Sequence, residues 1–270
     1  MTAWVHQLGY LGLCLSLLCA MALAVRAGTS QDAVLHAQLA RLSQRRIFFG
    51  HQSVGMNLLD GVREIAAGYP DVRLRVVESP AGPDPTPGTF AHAFIPENGN
   101  PVLKLESFER ALSSDVTPDI AFLKFCYVDF STGTDARALF ARYQATVSAL
   151  RSRYPRTVFV HITAPLTTVQ GGAKAALGRL LGRAPGGLRE NARREEYSDL
   201  LRQAYRGKEP VFDLAVLEST AADGHRELHH WNGSKVPALL PAWTDDGGHL
   251  NPEARQRLAR ELIGFLAGLP

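Results

Sequence analysis

Apolar segments of two kinds alternate along this chain, and no other feature constrains its fold as much. Ile47-Phe48-Phe49, Ile120-Ala121-Phe122-Leu123 and Val158-Phe159-Val160-His161-Ile162 are short and apolar almost throughout, as strands buried on both faces are. Between them run longer segments of helical period, over 31–44, 53–67 and 135–153. Short strands alternating with helices make a parallel sheet covered on both faces, so an α/β sandwich is expected. A further strand is predicted at 72–78 and a last one at 211–214. Residues 79–101 are rich in Pro and Gly and read as irregular, followed by a short helix at 107–112. The charged stretch 168–206 reads as a helical insertion over the sheet edge. The final helix carries the strongest signals: Asn251 as N-cap, Pro252 at its first position, Glu253 in the first turn, and Leu258, Leu262 and Phe265 along one stripe.

Residues 1–27 differ from the rest. No charge occurs from Leu8 to Val25, and the run ends Ala24-Val25-Arg26-Ala27. That pattern suits cleavage before Gly28, so a signal peptide over 1–27 and a secreted or periplasmic protein are expected. An uncleaved anchor is the competing reading, since the run approaches the length that spans a bilayer, and membrane contact follows only if it is retained. Cys14 and Cys19 would leave with the leader, so Cys126 would remain alone, a small hydrophobe in an apolar strand. The other 243 residues, 28–270, are expected to form one α/β domain, because a chain that is 46% hydrophobic and 20% charged can bury one sizeable core. A net charge of only +3 argues against a nucleic-acid partner.

Ser53, in Phe49-Gly50-His51-Gln52-Ser53-Val54-Gly55, falls where the first strand turns into a helix, a turn that exposes a hydroxyl. A serine hydroxyl becomes a nucleophile when an imidazole within hydrogen-bond reach takes its proton, and a carboxylate fixes that imidazole's tautomer. Asp246-Gly247-Gly248-His249 supplies both groups three residues apart, just ahead of the final helix. In an open α/β sheet the loops beyond the carboxyl ends of the strands share one edge, so the two distant segments can meet there. The plainer readings are a helix N-cap for Ser53 and a self-bonded turn for Asp246 and His249.

These two blocks resemble the nucleophile block and the terminal Asp-x-x-His block of the SGNH/GDSL hydrolases. The resemblance implies a three-layer α/β/α sandwich with a mostly parallel, flavodoxin-like sheet, and esterase or lipase-type acyl hydrolysis without a cofactor or metal. It makes Ser53 the nucleophile, His249 the base and Asp246 its orienting partner. The chain departs from the family in placing His51 and Gln52 between Gly50 and Ser53, and in lacking a clean Gly-x-Asn-Asp run: Lys124-Phe125-Cys126-Tyr127-Val128-Asp129 stands where that asparagine is expected. Other oxyanion donors are therefore sought in the backbone amides of Ser53 and Val54, and in Asn98 with Gly99 beside it. Asn98 and Gly99 also fit an ordinary turn. Lys124, inside an apolar strand, is expected to reach Asp129, a substrate anion or the crevice at the strand edge. His51 and Gln52 would line the pocket or steady the turn. His225 and His229 have the i, i+4 spacing of a zinc pair on a helix, without further ligands at recognisable spacing. The expected substrate is a small-molecule or carbohydrate ester. The rival readings are a non-catalytic binding protein of the same fold and a metal-assisted hydrolase.

Overall fold

The computed structural model describes residues 30–172, 177 and 181–270; the leader expected at 1–27 lies outside them. A first helix, α1, occupies 30–42. There follow β1 (Arg46–His51), α2 (Val54–Ala67), β2 (Arg75–Glu78), β3 (Thr89–Phe94), α3 (Pro101–Leu112), β4 (Ile120–Leu123), α4 (Ala136–Arg153) and β5 (Val158–Ile162). After these come α5 (Leu188–Tyr205), β6 (Val211–Phe212), α6 (Leu214–Ser219), the hairpin β7 (Leu228–Trp231) and β8 (Ser234–Pro237), and α7 (Pro252–Ala267). Among the described residues, no helix is long and apolar enough to cross a membrane.

Six strands form one sheet in the order β2-β3-β1-β4-β5-β6, every neighbouring pair parallel. Without the edge strand β2, the order is the flavodoxin-like one in which the first strand lies inside. The period of two along each strand divides the core into two layers. Ile47, Phe49, Ile120, Phe122 and Val160 face α1, α2 and α7, whereas Phe48, Ala121, Leu123 and Phe159 face α3, α4 and α5. This is the expected three-layer α/β/α sandwich. In α2 the apolar stripe Val54, Leu58, Leu59, Val62 and Ile65 is buried. Gly61 brings α2 against α7, since a Cβ there would lie 2.6 Å from that of Ala259.

Four expectations are corrected. The stretch read as irregular contains β3 (Thr89–Phe94), an interior strand paired along its whole length with β1 and over Thr89–His92 with β2. The helix after it starts at Pro101, because Asn100 accepts a hydrogen bond from the Leu103 amide and caps it. The charged stretch 168–206 supplies α5, which packs beside α4 on the second face of the sheet instead of lying over its edge. A parallel β5-to-β6 step requires such a crossover. His229 and His230 lie on β7, so the helical His225/His229 pairing does not form. The cue was Asn232-Gly233, whose positive φ angles of 47° and 78° turn β7 into β8.

Candidate active site

Ser53 lies two residues past the end of β1, just before α2, and has φ 52° and ψ −111°, a left-handed backbone rare for a non-glycine residue. Holding it costs on the order of 1–3 kcal/mol, and the packed strand and helix on either side impose it. Its side chain does not cap α2. Instead Ser53 Oγ lies 2.5 Å from His249 Nε2, across 196 residues of sequence. Gly55 lets the turn close: a Cβ there would sit 2.8 Å from His51 Nδ1.

His249 Nδ1 lies 2.5 Å from Asp246 Oδ2, while Asp246 Oδ1 accepts from the backbone amides of Gly248 (2.9 Å) and His249 (2.8 Å). The His249 amide, the His249 side chain and the Gly248 amide hold the Asp246 carboxyl below the usual carboxylate range. An ionised Asp246 accepts the Nδ1 proton, which leaves Nε2 as the acceptor facing the serine hydroxyl. Two clamps fix this loop in the fold. Thr168 N donates to Gly247 O (2.9 Å), and Leu250 N donates to Asn57 Oδ1 of α2 (3.2 Å). The His249 and Asp246 side chains are 43% and 56% exposed, so water and a bulky substrate can reach them.

The other expected site residues fare differently. Among the described residues, the amides of Ser53 and Val54 have no hydrogen-bond partner, and they stand at the start of α2 where the helix dipole favours negative charge. Gly99, expected to allow close approach beside Asn98, has its amide bonded to Asp129 Oδ1 (2.9 Å). Asn98 is exposed and its Oδ1 accepts from Lys104 Nζ (2.9 Å). Lys124 is fully buried and donates to Phe125 O (2.9 Å), not to Asp129. Burial pushes its pKa down to about 8. The cation that pairs with Asp129 is Lys104, at 2.8 Å with both side chains fully buried. Gln52 Nε2 donates to Ile95 O (3.1 Å), tying the serine turn to the segment after β3.

His51 is fully buried beneath the turn and lines no pocket. Its Nε2 lies 3.0 Å from His92 Nδ1, and His92 Nε2 lies 3.0 Å from Arg63 Nη2. Because the guanidinium can only donate, neutral His92 carries its proton on Nδ1 and gives it to His51 Nε2. Neutral His51 then carries its proton on Nδ1, an atom with no partner. Burial, first of all, lowers His51 to about 2 and His92 to about 4.

Sequence reasoning passed over Tyr127, Asn57, Thr168, Lys104 and Arg194. Tyr127 opens the turn Tyr127–Asp129 after β4, and its ring lies edge-on to His249 with centroids 5.7 Å apart. Arg194 Nη2 donates to Tyr127 O (2.9 Å) and Nη1 to Thr167 Oγ1 (2.8 Å). For Tyr127 the available signal was its place just past the end of a buried strand; the partners of Arg194 and Lys104 are too distant in sequence to foresee. A cavity of about 500 Å³ between α5 and the hairpin, with Arg189, Trp231 and Lys235 in its wall, does not include Ser53. Among the described residues, no three His, Cys, Asp or Glu side chains gather to hold a metal.

No family model matches the chain. No curated protein matches it either. Solved structures do. A GDSL-like lipase from Bacteroides thetaiotaomicron is similar at 12% identity and TM-score 0.44, over 80% of this chain and 86% of that one. The salicylyl-acyltransferase SsfX3 of a tetracycline biosynthetic pathway is similar at 12% identity and TM-score 0.43, over 84% and 56%. The periplasmic domain of a lipopolysaccharide acetyltransferase from Salmonella ser. Paratyphi A is similar at 16% identity and TM-score 0.39, over 78% and 79%. At such scores the likeness carries no weight for the reaction, which rests on the site's own geometry.

Proposed function

We propose that the protein is an exported serine hydrolase that cleaves an ester through Ser53, His249 and Asp246. The observation that carries this reading is the unbroken chain from Ser53 Oγ through the His249 ring to Asp246, two links of 2.5 Å each, at a serine held out of helical geometry. As Ser53 Oγ attacks the ester carbonyl carbon, its proton passes to His249 Nε2 and the carbonyl π electrons move to the oxygen. Asp246 holds the resulting imidazolium without taking its proton. The tetrahedral intermediate collapses, the C–O bond to the alcohol breaks, and His249 gives the proton to the departing alkoxide. Water repeats the sequence on the acyl-enzyme and restores Ser53. The free amides of Ser53 and Val54 support the reading, because an acyl-transfer site needs donors where the oxyanion grows.

Phe94 at the end of β3 and Val128 in the turn after β4 are exposed apolar side chains at the same sheet edge. They favour an ester with an apolar acyl group, borne by a carbohydrate or another envelope alcohol. The engaged Gly99 amide favours a second reading, a binding protein whose oxyanion hole is incomplete. Hydrolysis of p-nitrophenyl acetate by residues 28–270 separates them. Ser53→Ala lowers kcat by about 10⁴-fold or more with an unchanged melting temperature. Equal rates in the two proteins would sink the hydrolase.

A further inference from the structure

Two backbone amides make a sparse oxyanion hole, and the side chain that completes it is not obvious from the sequence. Asn98 is exposed and its oxygen accepts from Lys104, which leaves its amide hydrogens as one candidate donor, while the Gly99 amide is committed to Asp129. The end of β4 offers another group. There Tyr127 presents its ring edge to His249, and a Cβ on Gly248 would lie 3.0 Å from Tyr127 Cζ and 3.2 Å from its Oη. The hydroxyl therefore stands beside the triad's own loop, on the His249 side of the site.

We propose that the Tyr127 hydroxyl is a catalytic residue of this site, the side-chain donor that joins the Ser53 and Val54 amides in stabilising the oxyanion. The assignment rests on the hydrolase reading above and adds to it the group that replaces the asparagine absent from this strand end. In the resting site Ser53 Oγ donates to His249 and the tyrosine hydroxyl stands beside that ring. Once Oγ bonds to the carbonyl carbon, the negative oxygen is one bond further on, and the same hydroxyl turns to it. The C–O–C=O atoms are unchanged in number by this step, and the tyrosine keeps its proton throughout. Burial raises the Tyr127 pKa, so the group remains a donor at neutral pH and above.

The rest of the strand end is built to hold that ring. Arg194 Nε and Nη2 donate to the Tyr127 carbonyl at 3.2 and 2.9 Å, and its guanidinium carbon lies 5.9 Å from the ring centroid. One step along, Asp129 accepts from Cys126 N at 2.6 Å and from buried Lys104, which pins the turn that carries Tyr127. A tyrosine needed only to fill space would require neither anchor, and phenylalanine would replace it without loss.

The test uses residues 28–270 and two readouts: steady-state hydrolysis of p-nitrophenyl acetate, and the rate at which a fluorophosphonate probe labels Ser53. Tyr127→Phe keeps the ring and removes the hydroxyl. It is expected to lower kcat by about 10²–10³-fold with KM nearly constant, to slow labelling comparably, and to leave the pH dependence of kcat in place. A kcat within about threefold of wild type, while Ser53→Ala is inactive, would overturn the tyrosine assignment and leave the hydrolase standing. A displaced acidic limb of the pH profile would also overturn it, since the tyrosine would then be acting through His249. A greater loss in Asn98→Ala than in Tyr127→Phe would return the role to Asn98. If wild type shows neither Ser53 labelling nor Ser53-dependent hydrolysis, both readings fall together.

Discussion

The charged side chains at the carboxyl edge of the sheet fall into two sets that differ in their access to water. Asp246 and His249 are about half exposed and joined by a short hydrogen bond. Behind them, Lys104 and Asp129 are wholly buried, and Asp129 is satisfied from three sides by Lys104, Gly99 N and Cys126 N. The open set can exchange protons with solvent and admit the water that a second hydrolytic step needs. The buried set can do neither, and what it does is hold two loops, the one after β3 and the one after β4, in a fixed relation. Chemistry and rigidity are thus assigned to different charges, and substitutions should separate them.

Asp246→Asn should give the largest effect on the open side. An amide cannot hold the His249 tautomer that leaves Nε2 free, so kcat is expected to fall by about 10⁴-fold, roughly 5 kcal/mol of barrier. Its oxygen can still accept from the Gly248 and His249 amides, so the thermal midpoint should fall only slightly, by what a half-exposed charge contributes. A collapse of the midpoint in that variant would erase the proposed division between the two sets. The converse change is Lys104→Met, which strands the buried Asp129 carboxylate. Urea unfolding should then show a loss of about 3–5 kcal/mol, and adding Asp129→Leu should recover much of it, because an apolar pair needs no desolvation. Failure of the double variant to recover would mean that Gly99 and Cys126, which lose their acceptor, matter more than the ion pair.

The same division explains what could be read in advance. Ser53, His249 and Asp246 were legible because each sits at a chain reversal with its own local marks: a strand-to-helix turn, a Gly-Gly loop, and an Asn251-Pro252 helix start. The layered sheet was legible because its central strands are apolar on both faces. β3 was hidden, since Pro- and Gly-rich loops surround it and His92 interrupts its apolar pattern. Lys104 was hidden as well: on an amphipathic helix it resembles a solvated residue, and only the fold brings Asp129 to it from 25 positions away. Lys124 drew attention for a sound reason, the difficulty of burying a lysine, yet its amine ends on the neighbouring Phe125 carbonyl. Local chemistry shows in a single sequence; pairing across the fold does not.

The smallest predicted effect concerns the neutral histidines under the serine turn, which belong to neither set. His92 titrates at about 4 in the fold because burial and the facing Arg63 disfavour its charge, whereas an unfolded histidine titrates near about 6.5. Between those values the unfolded chain binds a proton that the fold refuses, so stability declines as pH falls, by about 1.4 kcal/mol per pH unit for each such histidine. Other groups act over the same range: His51 adds to the slope, and buried Glu218, raised to about 8, opposes it. Asp246 does not contribute there, because a lowered carboxyl loses its stabilising effect only below its unfolded value of about 4. The informative quantity is therefore a difference. His92→Gln can still accept from Arg63 and donate to His51, so urea midpoints measured from pH 6.5 down to about 4 should fall less steeply in the variant, by the one-proton slope. Parallel lines for the two proteins would mean that His92 is protonated in the fold. His92 Nε2 would then carry a proton facing the Arg63 guanidinium, two donors without an acceptor between them, while Nδ1 still donates to His51, and a positive charge would lie beneath the nucleophile.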